Sequence, residues 1–164
     1  GRNVRDLYTF LARNYRPGDR IFLFGFSRGA ATVRAFSGFV ATCGLIDGHA
    51  MTDAELERET LRKFRQYRDG KPDLEEPGLH PDIKITFIGV WDTVSALGFP
   101  RRTDITSTFM NLLNRAFVAL DKVTDHIPWL RHNFYQYGIT GTIEIACQAL
   151  ARDGARTSFW PAVW

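Results

Sequence analysis

The feature that most constrains this chain is an apolar run that leads into a Gly-x-Ser-x-Gly pattern, IFLFGFSRGAA, at residues 21–31. The run before the serine has the composition of a buried parallel strand, and the small residues after it suit the first turn of a closely packed helix. A serine between such a strand and helix sits on a sharp turn that holds its hydroxyl clear of the backbone. We expect a Cβ at Gly25 or Gly29 to collide with the neighbouring strand and helix.

The length and composition predict a single globular domain. The chain has 164 residues, of which 45% are hydrophobic and 24% charged, so it can bury one sizeable core. The net charge of +3 comes from arginines spread along the chain, with acidic runs such as residues 73–76 between them, and this pattern argues against nucleic-acid binding. There is no run of 18 apolar residues and no signal-peptide pattern, so we expect no membrane span and no secretion address of its own. The localisation stays unknown, and the sequence begins at Gly1 without an initiator methionine.

The two cysteines, Cys43 and Cys147, have no metal-binding or redox spacing. Both fall on stretches with a helical apolar pattern, so we expect buried thiols and neither a disulfide framework nor a metal site.

Apolar periodicity predicts an alternation of helices and strands. Helices are expected at residues 2–14, from Ser27 to a Gly44 cap, after a capping box at residues 52–55, at residues 107–123, and through Ile143, Ala146, Cys147 and Leu150. Strands are expected at residues 21–26 and 83–90, and the Gly- and Pro-rich residues 69–82 should be irregular. This order predicts an α/β fold whose mostly parallel sheet is covered by helices on both faces, with residues 21–26 as a central strand.

Two side chains are candidates for chemistry at the carboxyl edge of this sheet. Ser27 would be a nucleophile, with the backbone N–H of Arg28 as one donor to an oxyanion. Asp92 directly follows the second strand and would reach the same edge, where it could orient a histidine. The alternatives are a tight turn with a bystander serine and an aspartate that caps the turn after its strand.

Two segments give a family resemblance. FGFSRGA at residues 24–30 and FIGVWDTVSALG at residues 87–98 resemble the large, mostly uncharacterised α/β-hydrolase family of bacteria and fungi that contains the phospholipase effectors of type VI secretion. YRPGD at residues 15–19 fits the same pattern, as do QALARD at residues 148–153, FWP at residues 159–161 and Trp164 in the tail. The resemblance implies an α/β-hydrolase fold and a serine esterase or lipase, with Ser27 as nucleophile and Asp92 as acid.

The sequence departs from that family at both ends. Members usually open with a strand and an Asp-Gly-Thr loop and carry a Gly-x-His-Ser-Asp segment after the position of Trp164, and neither is present here. Gln148 stands where some relatives have histidine. We therefore expect residues 1–164 to be the incomplete, central part of a longer domain, with the triad histidine beyond Trp164.

The four histidines of the chain offer only fallback bases. His126 and His132 follow Asp92, in the chain order that the elbow pattern requires, whereas His49 and His80 precede it and should be solvated.

Residues 105–137 combine an amphipathic helix with a cluster of aromatic and basic side chains. They predict either a lid that makes peripheral membrane contact or an ordinary core helix with a packed loop. The elbow pattern predicts a serine hydrolase that needs no cofactor and no metal, and its oligomeric state is unknown. The residues alone leave a small-molecule or lipid ester open as substrate, and the resemblance implies a lipid or phospholipid ester. The alternative is a catalytically silent binding or assembly domain.

Overall fold

The computed structural model describes residues 1–93 and 138–150. The described part contains three helices, α1 (Arg2–Asn14), α2 (Arg28–Cys43) and α3 (Asp53–Asp69). Its strands are β1 (Ile21–Phe26), β2 (Leu45–Ile46), β3 (Leu79–His80), β4 (Ile85–Trp91) and β5 (Ile143–Ala149). The helices and the two long strands predicted within residues 1–93 are confirmed, apart from shifts of one or two residues at the ends of β4.

The main sheet is parallel. Its described strands lie in the order β1, β4, β5, and both neighbouring pairs run parallel, with Phe26 opposite Trp91 and Trp91 opposite Ala149. The short strands β2 and β3 form a separate antiparallel pair. An α/β fold with a mostly parallel sheet is therefore observed, and in the described part β1 lies at an edge of the sheet rather than at its centre.

The core lies between the three helices and one face of the sheet. It combines Tyr8 of α1, Phe36 and Phe39 of α2 and Leu56 of α3 with Ile85 of β4. Tyr8 also donates to the carbonyl oxygen of Gly44 at 3.0 Å and accepts from the N–H of Ile46 at 3.1 Å. Burial raises the pKa of its phenol, so these hydrogen bonds are made by the neutral hydroxyl.

The other face of the sheet carries exposed aromatic side chains. Phe22, Phe24 and Phe26 alternate along β1 and are 48%, 60% and 68% exposed, and Trp91 at the end of β4 is 44% exposed. The rings of Phe24 and Phe87 pack over Gly89, with 5.6 Å between the two ring centroids. Among the described residues, helices thus cover one face, and helices on the second face stay a prediction.

The predicted final helix is wrong, because residues 143–149 form strand β5 beside β4. Apolar residues at positions 143, 146, 147 and 150 match a helical period, but Thr142, Ile143 and Ile145 are β-branched and suit a strand. Cys147 is consequently exposed on a strand instead of buried in a helix.

Cys43 is buried in α2, as predicted, and both cysteines are free. Burial raises the pKa of the Cys43 thiol to about 12, so it stays protonated at neutral pH.

The segment after α3 is fixed by a buried lysine. Lys63 is fully buried, donates to the carbonyl oxygen of Asp73 at 2.7 Å and pairs with Glu76 at 2.9 Å. Glu76 also receives two hydrogen bonds of 2.6 Å from Arg62. The predicted irregular connection at residues 69–82 is thereby held against α3, and only Leu79 and His80 within it form a strand.

Several predictions fall outside the described residues. These are the helix at residues 107–123, the lid or core segment at residues 105–137, the fallback bases His126 and His132, and the tail to Trp164.

Candidate functional site

Ser27 forms the connection between β1 and α2 and has an unusual backbone. Its φ of 55° and ψ of −119° are the angles of the first central residue of a type II′ turn, a position that normally requires glycine. A serine held there carries strain of about 1 to 3 kcal/mol, which persists only when the surroundings fix the backbone. They do so here, because the N–H of Ser27 donates to the carbonyl oxygen of Trp91 at 2.9 Å.

Of the two glycines that flank the serine, one is required by packing. A Cβ built on Gly25 would lie 2.6 Å from the Cα of Ala30 and 2.8 Å from the carbonyl oxygen of Gly29, so β1 and α2 approach each other where no side chain fits. A Cβ at Gly29 would meet nothing within 4 Å among the described residues, so the predicted collision there is wrong. Gly29 lies in the first turn of α2, and a side chain added there would extend into open space.

The hydroxyl of Ser27 does not cap the helix that it precedes. An N-cap serine normally has an extended backbone and accepts from an N–H of the first turn, and the twisted backbone of Ser27 prevents this geometry. Ser27 is half-buried, so its hydroxyl is neither packed into the core nor consumed by the helix. Arg28 is the first residue of α2, where backbone N–H groups have no intrahelical acceptor. The turn therefore places the hydroxyl of Ser27 next in sequence to the backbone N–H of Arg28.

Asp92 follows β4 at the same edge of the sheet. Its strand pairs with β1 up to Phe26 and Trp91, so Ser27 and Asp92 are the next residues of strands that lie about 4.8 Å apart. Asp92 is half-buried and has a φ of 44°. Within residues 1–93 and 138–150, Ser27 and Asp92 are the two non-glycine residues with positive φ. A positive φ is uncommon in residues other than glycine, although aspartate adopts it more readily than most, and such residues recur at functional sites.

Strand β5 fixes the backbone of Asp92 from the other side. The N–H of Asp92 donates to the carbonyl oxygen of Ala149 at 3.1 Å. Sequence reasoning missed this contact because it placed Ala149 on a helix, although the β-branched residues before it indicated a strand. Gln148, the position at which some relatives carry histidine, lies opposite Val90 in the same strand pair and is half-buried.

The two described histidines lie at the opposite end of β1. His49 bonds through Nε2 to the carbonyl oxygen of Tyr15 at 2.8 Å, and the ring of His80 packs edge-on against the ring of Tyr15 at 5.3 Å. Tyr15 precedes β1 whereas Ser27 follows it, and the six residues of β1 span about 20 Å. Neither histidine is therefore placed to act on Ser27. His49 is exposed, as predicted, but His80 is half-buried.

Neither a metal site nor a membrane span is found in the described part of the chain. No group of three or more His, Cys, Asp or Glu side chains in residues 1–93 and 138–150 could hold a metal ion. No helix in the same residues has the length and hydrophobicity needed to cross a bilayer.

Comparison with known proteins gives one family over the whole chain. The family described as type VI secretion system (T6SS) phospholipase effector Tle1-like, catalytic domain, matches residues 1–164. An uncharacterised yeast protein, YEL023C of Saccharomyces cerevisiae, is 30% identical over 109 residues, which are 60% of this chain and 16% of the yeast protein. The chain thus matches a small part of that relative's length. No solved structure shows significant similarity to the chain.

Proposed function

Because the chain belongs to the family of Tle1-like catalytic domains of type VI secretion phospholipase effectors, we propose that it hydrolyses a carboxylic ester of a lipid or phospholipid through Ser27. The proposed fold is that of an α/β-hydrolase, with Ser27 on its nucleophile elbow. The observation that carries the proposal is the strained backbone of Ser27, whose hydroxyl is kept out of helix capping at the end of a strand that pairs with the strand of Asp92.

In the proposed reaction, the Oγ atom of Ser27 attacks the ester carbonyl, and a histidine takes the hydroxyl proton. The negative charge that develops on the carbonyl oxygen is stabilised by the backbone N–H of Arg28. Collapse of the tetrahedral intermediate expels the alcohol, which receives the proton from the histidine, and leaves an acyl group on Ser27. Water then attacks this acyl-enzyme by the same steps and releases the fatty acid.

Asp92 acts as the acid of the proposed triad. Its carboxylate would accept from the second ring nitrogen of the histidine, holding the imidazole in the right tautomer and stabilising its protonated form. Two hydrogen bonds support this role, because they fix the backbone on both sides of the end of β4: Ser27 N–H to Trp91 and Asp92 N–H to Ala149. The residues described here do not supply the histidine.

The test is covalent labelling with a fluorophosphonate probe, followed by hydrolysis assays. Wild-type protein should be labelled on Ser27, and Ser27→Ala should abolish labelling and lower the hydrolysis rate by about 10³-fold or more. Thr52→Ala is the matched control, because it removes a hydroxyl from the N-terminus of a different helix, and it should be labelled like the wild type. A folded wild-type protein that the probe does not label would refute the proposal and favour a catalytically silent binding domain.

The substrate is tested with two kinds of ester. Soluble p-nitrophenyl esters report on the chemistry of Ser27 alone, whereas phospholipid vesicles also require contact with a lipid surface. Hydrolysis of vesicle phospholipid with release of free fatty acid is the expected result. Activity on the soluble esters alone would restrict the proposal to a small-ester esterase.

A further inference from the structure

Three serine or threonine side chains in the described part of the chain are buried, and they differ in their hydrogen bonds. Ser37 donates to the carbonyl oxygen of Arg34 at 2.8 Å, and Thr60 accepts from the hydroxyl of Thr9 at 3.1 Å. Thr93 is 2% exposed, and its hydroxyl has no hydrogen-bond partner among the described residues. Buried hydroxyls are nearly always paired, because an unpaired one costs about 1 to 3 kcal/mol.

Thr93 lies at the candidate site. It directly follows Asp92 and is the second residue beyond β4, at the edge of the sheet to which β1 delivers Ser27. Hydrogen bonds from Ser27 to Trp91 and from Asp92 to Ala149 hold the backbone that leads into Thr93. The unpaired hydroxyl therefore belongs to a segment whose position is already fixed, so a general looseness of the chain does not explain it.

We propose that Thr93 is a positioning residue for Asp92. Its hydroxyl donates to the carboxylate of Asp92, after rotation about χ1 or through one bridging water, when the site is assembled around a substrate. This inference rests on the proposed function, because it assigns Thr93 to the Ser27 reaction.

The chemistry of the Asp92 carboxylate explains what a hydrogen bond from the Thr93 hydroxyl would do. An ionised aspartate offers about four lone-pair positions, and an imidazole N–H occupies one of them. A second, charge-assisted hydrogen bond, from the hydroxyl of Thr93, would help to fix the orientation of the carboxylate and so keep the imidazole aligned with the Oγ atom of Ser27. Alignment matters because a displacement of about 1 Å in a catalytic group can lower a rate by about 100-fold.

This role predicts that stability and activity respond in opposite ways. Thr93→Val keeps the shape of the side chain and removes a hydroxyl that is unpaired in the fold, so the melting temperature should stay unchanged or rise. The same change should lower kcat for a soluble ester, and the rate of fluorophosphonate labelling, by about 10-fold with little change in KM. Thr93→Ser keeps the hydroxyl and should retain both rates to within about threefold.

A double-mutant cycle separates positioning of Asp92 from any other effect. In an Asp92→Asn background, Thr93→Val should change the labelling rate by less than about twofold, because the carboxylate that it positions is gone. Thr60→Val is the matched control, since it removes a buried hydroxyl that is paired, and it should lower the melting temperature without changing either rate.

Different failures have different meanings. If the wild type is labelled and Thr93→Val reacts equally fast, or if the Thr93→Val effect is undiminished in the Asp92→Asn background, the role of Thr93 is refuted while the proposed function stands. A lower melting temperature for Thr93→Val without loss of activity would show a purely structural hydroxyl and also refute it. A folded wild type without any labelling overturns both proposals.

Discussion

Two of the helices within residues 1–93 begin at a hydroxyl residue, and the two hydroxyls are used in different ways. Thr52, before α3, has the extended backbone of an ordinary N-cap, with φ −66° and ψ 160°. It accepts from the N–H of Glu55 at 3.3 Å, and the carboxylate of Glu55 accepts from the N–H of Thr52 at 2.8 Å. Ser27, before α2, has a backbone suited to glycine and makes no capping bond.

The difference teaches that α2 begins in a way that does not favour its own stability. A capping serine contributes about 1 kcal/mol to a helix, and a strained residue costs about 1 to 3 kcal/mol. Ser27 therefore lacks the stabilisation of a cap and adds the cost of a strained backbone. Thr52 shows that the same chain forms a standard capping box elsewhere. An arrangement that is locally unfavourable, next to an Asp92 whose φ is also positive, fits the proposed role of Ser27 as a nucleophile.

The largest expected change to the start of α2 comes from a substitution at Gly25. In Gly25→Ala the new Cβ would lie within 2.8 Å of backbone atoms of both Gly29 and Ala30, so α2 must move away from β1. We expect the free energy of unfolding to fall by about 3 kcal/mol, at the upper end of the cost of overpacking, and labelling of Ser27 to be lost with it. Urea unfolding followed by circular dichroism measures the first effect.

Gly29→Ala is the control for that experiment. Its Cβ meets nothing within 4 Å among the described residues, and alanine favours a helix over glycine by up to about 1 kcal/mol. Unchanged or higher stability is expected. Equal losses in the two variants would mean that the close contact at Gly25 does not determine the packing of α2.

The strain at Ser27 is the next largest effect. Ser27→Gly should raise the free energy of unfolding by about 1 kcal/mol, because glycine adopts a positive φ without steric cost. Ser27→Ala keeps the Cβ and should stay close to the wild type in stability. Both variants should be inactive, so a more stable and inactive Ser27→Gly would separate the strain from the chemistry. If Ser27→Gly proves less stable than Ser27→Ala, the backbone of Ser27 is not strained in solution.

Much of residues 1–93 could be predicted from the sequence because local signals and tertiary packing agree there. The capping box at Thr52, the cap at Gly44 and the apolar stripe of α2 all give the observed elements. Strand β5 could not be predicted in this way, because the apolar spacing at residues 143–150 fits a helix and a strand alike. The β-branched residues at its start favour a strand only weakly, and pairing with β4, more than 50 positions away in the sequence, decides the outcome.

The candidate site, too, could be predicted from the sequence only in part. The pattern around Ser27 pointed to a strand, a sharp turn and a helix, and the position of Asp92 after a strand indicated its edge of the sheet. The positive φ of Asp92 and the unpaired hydroxyl of Thr93 depend on how three strands meet, so no pattern in the sequence carries them. The exposed Phe22, Phe24 and Phe26 show a further limit, because an apolar strand indicates burial without saying what covers each face.

The cap of α3 allows the same contrast to be tested at the ordinary helix start, Thr52. Thr52→Ala removes the acceptor for the N–H of Glu55 and should lower the free energy of unfolding by about 1 kcal/mol. Ester hydrolysis should be unaffected, because this hydroxyl serves only the helix. Chemical unfolding and the p-nitrophenyl ester assay together check both statements. A drop in kcat with unchanged stability would show that the two helix N-termini are not functionally distinct.

The smallest effect is the pH dependence of that cap. Hydrogen bonds from the backbone and hydroxyl of Thr52 hold the pKa of Glu55 below its ordinary value of 4.5. A carboxylate whose pKa is lower in the folded state stabilises the fold above the unfolded pKa, and this contribution is lost as the pH falls through the lowered folded pKa. Glu55→Gln should therefore be less stable than the wild type at pH 7, and the difference should shrink below pH 4.5, as urea midpoints at several pH values would show. Because Glu55 is exposed, the difference should be smaller than that of Thr52→Ala. If the stability difference between Glu55→Gln and the wild type stays constant down to pH 2, the charge of Glu55 adds nothing to the cap. The hydroxyl of Thr52 would then be the one feature of this cap that the start of α2 lacks.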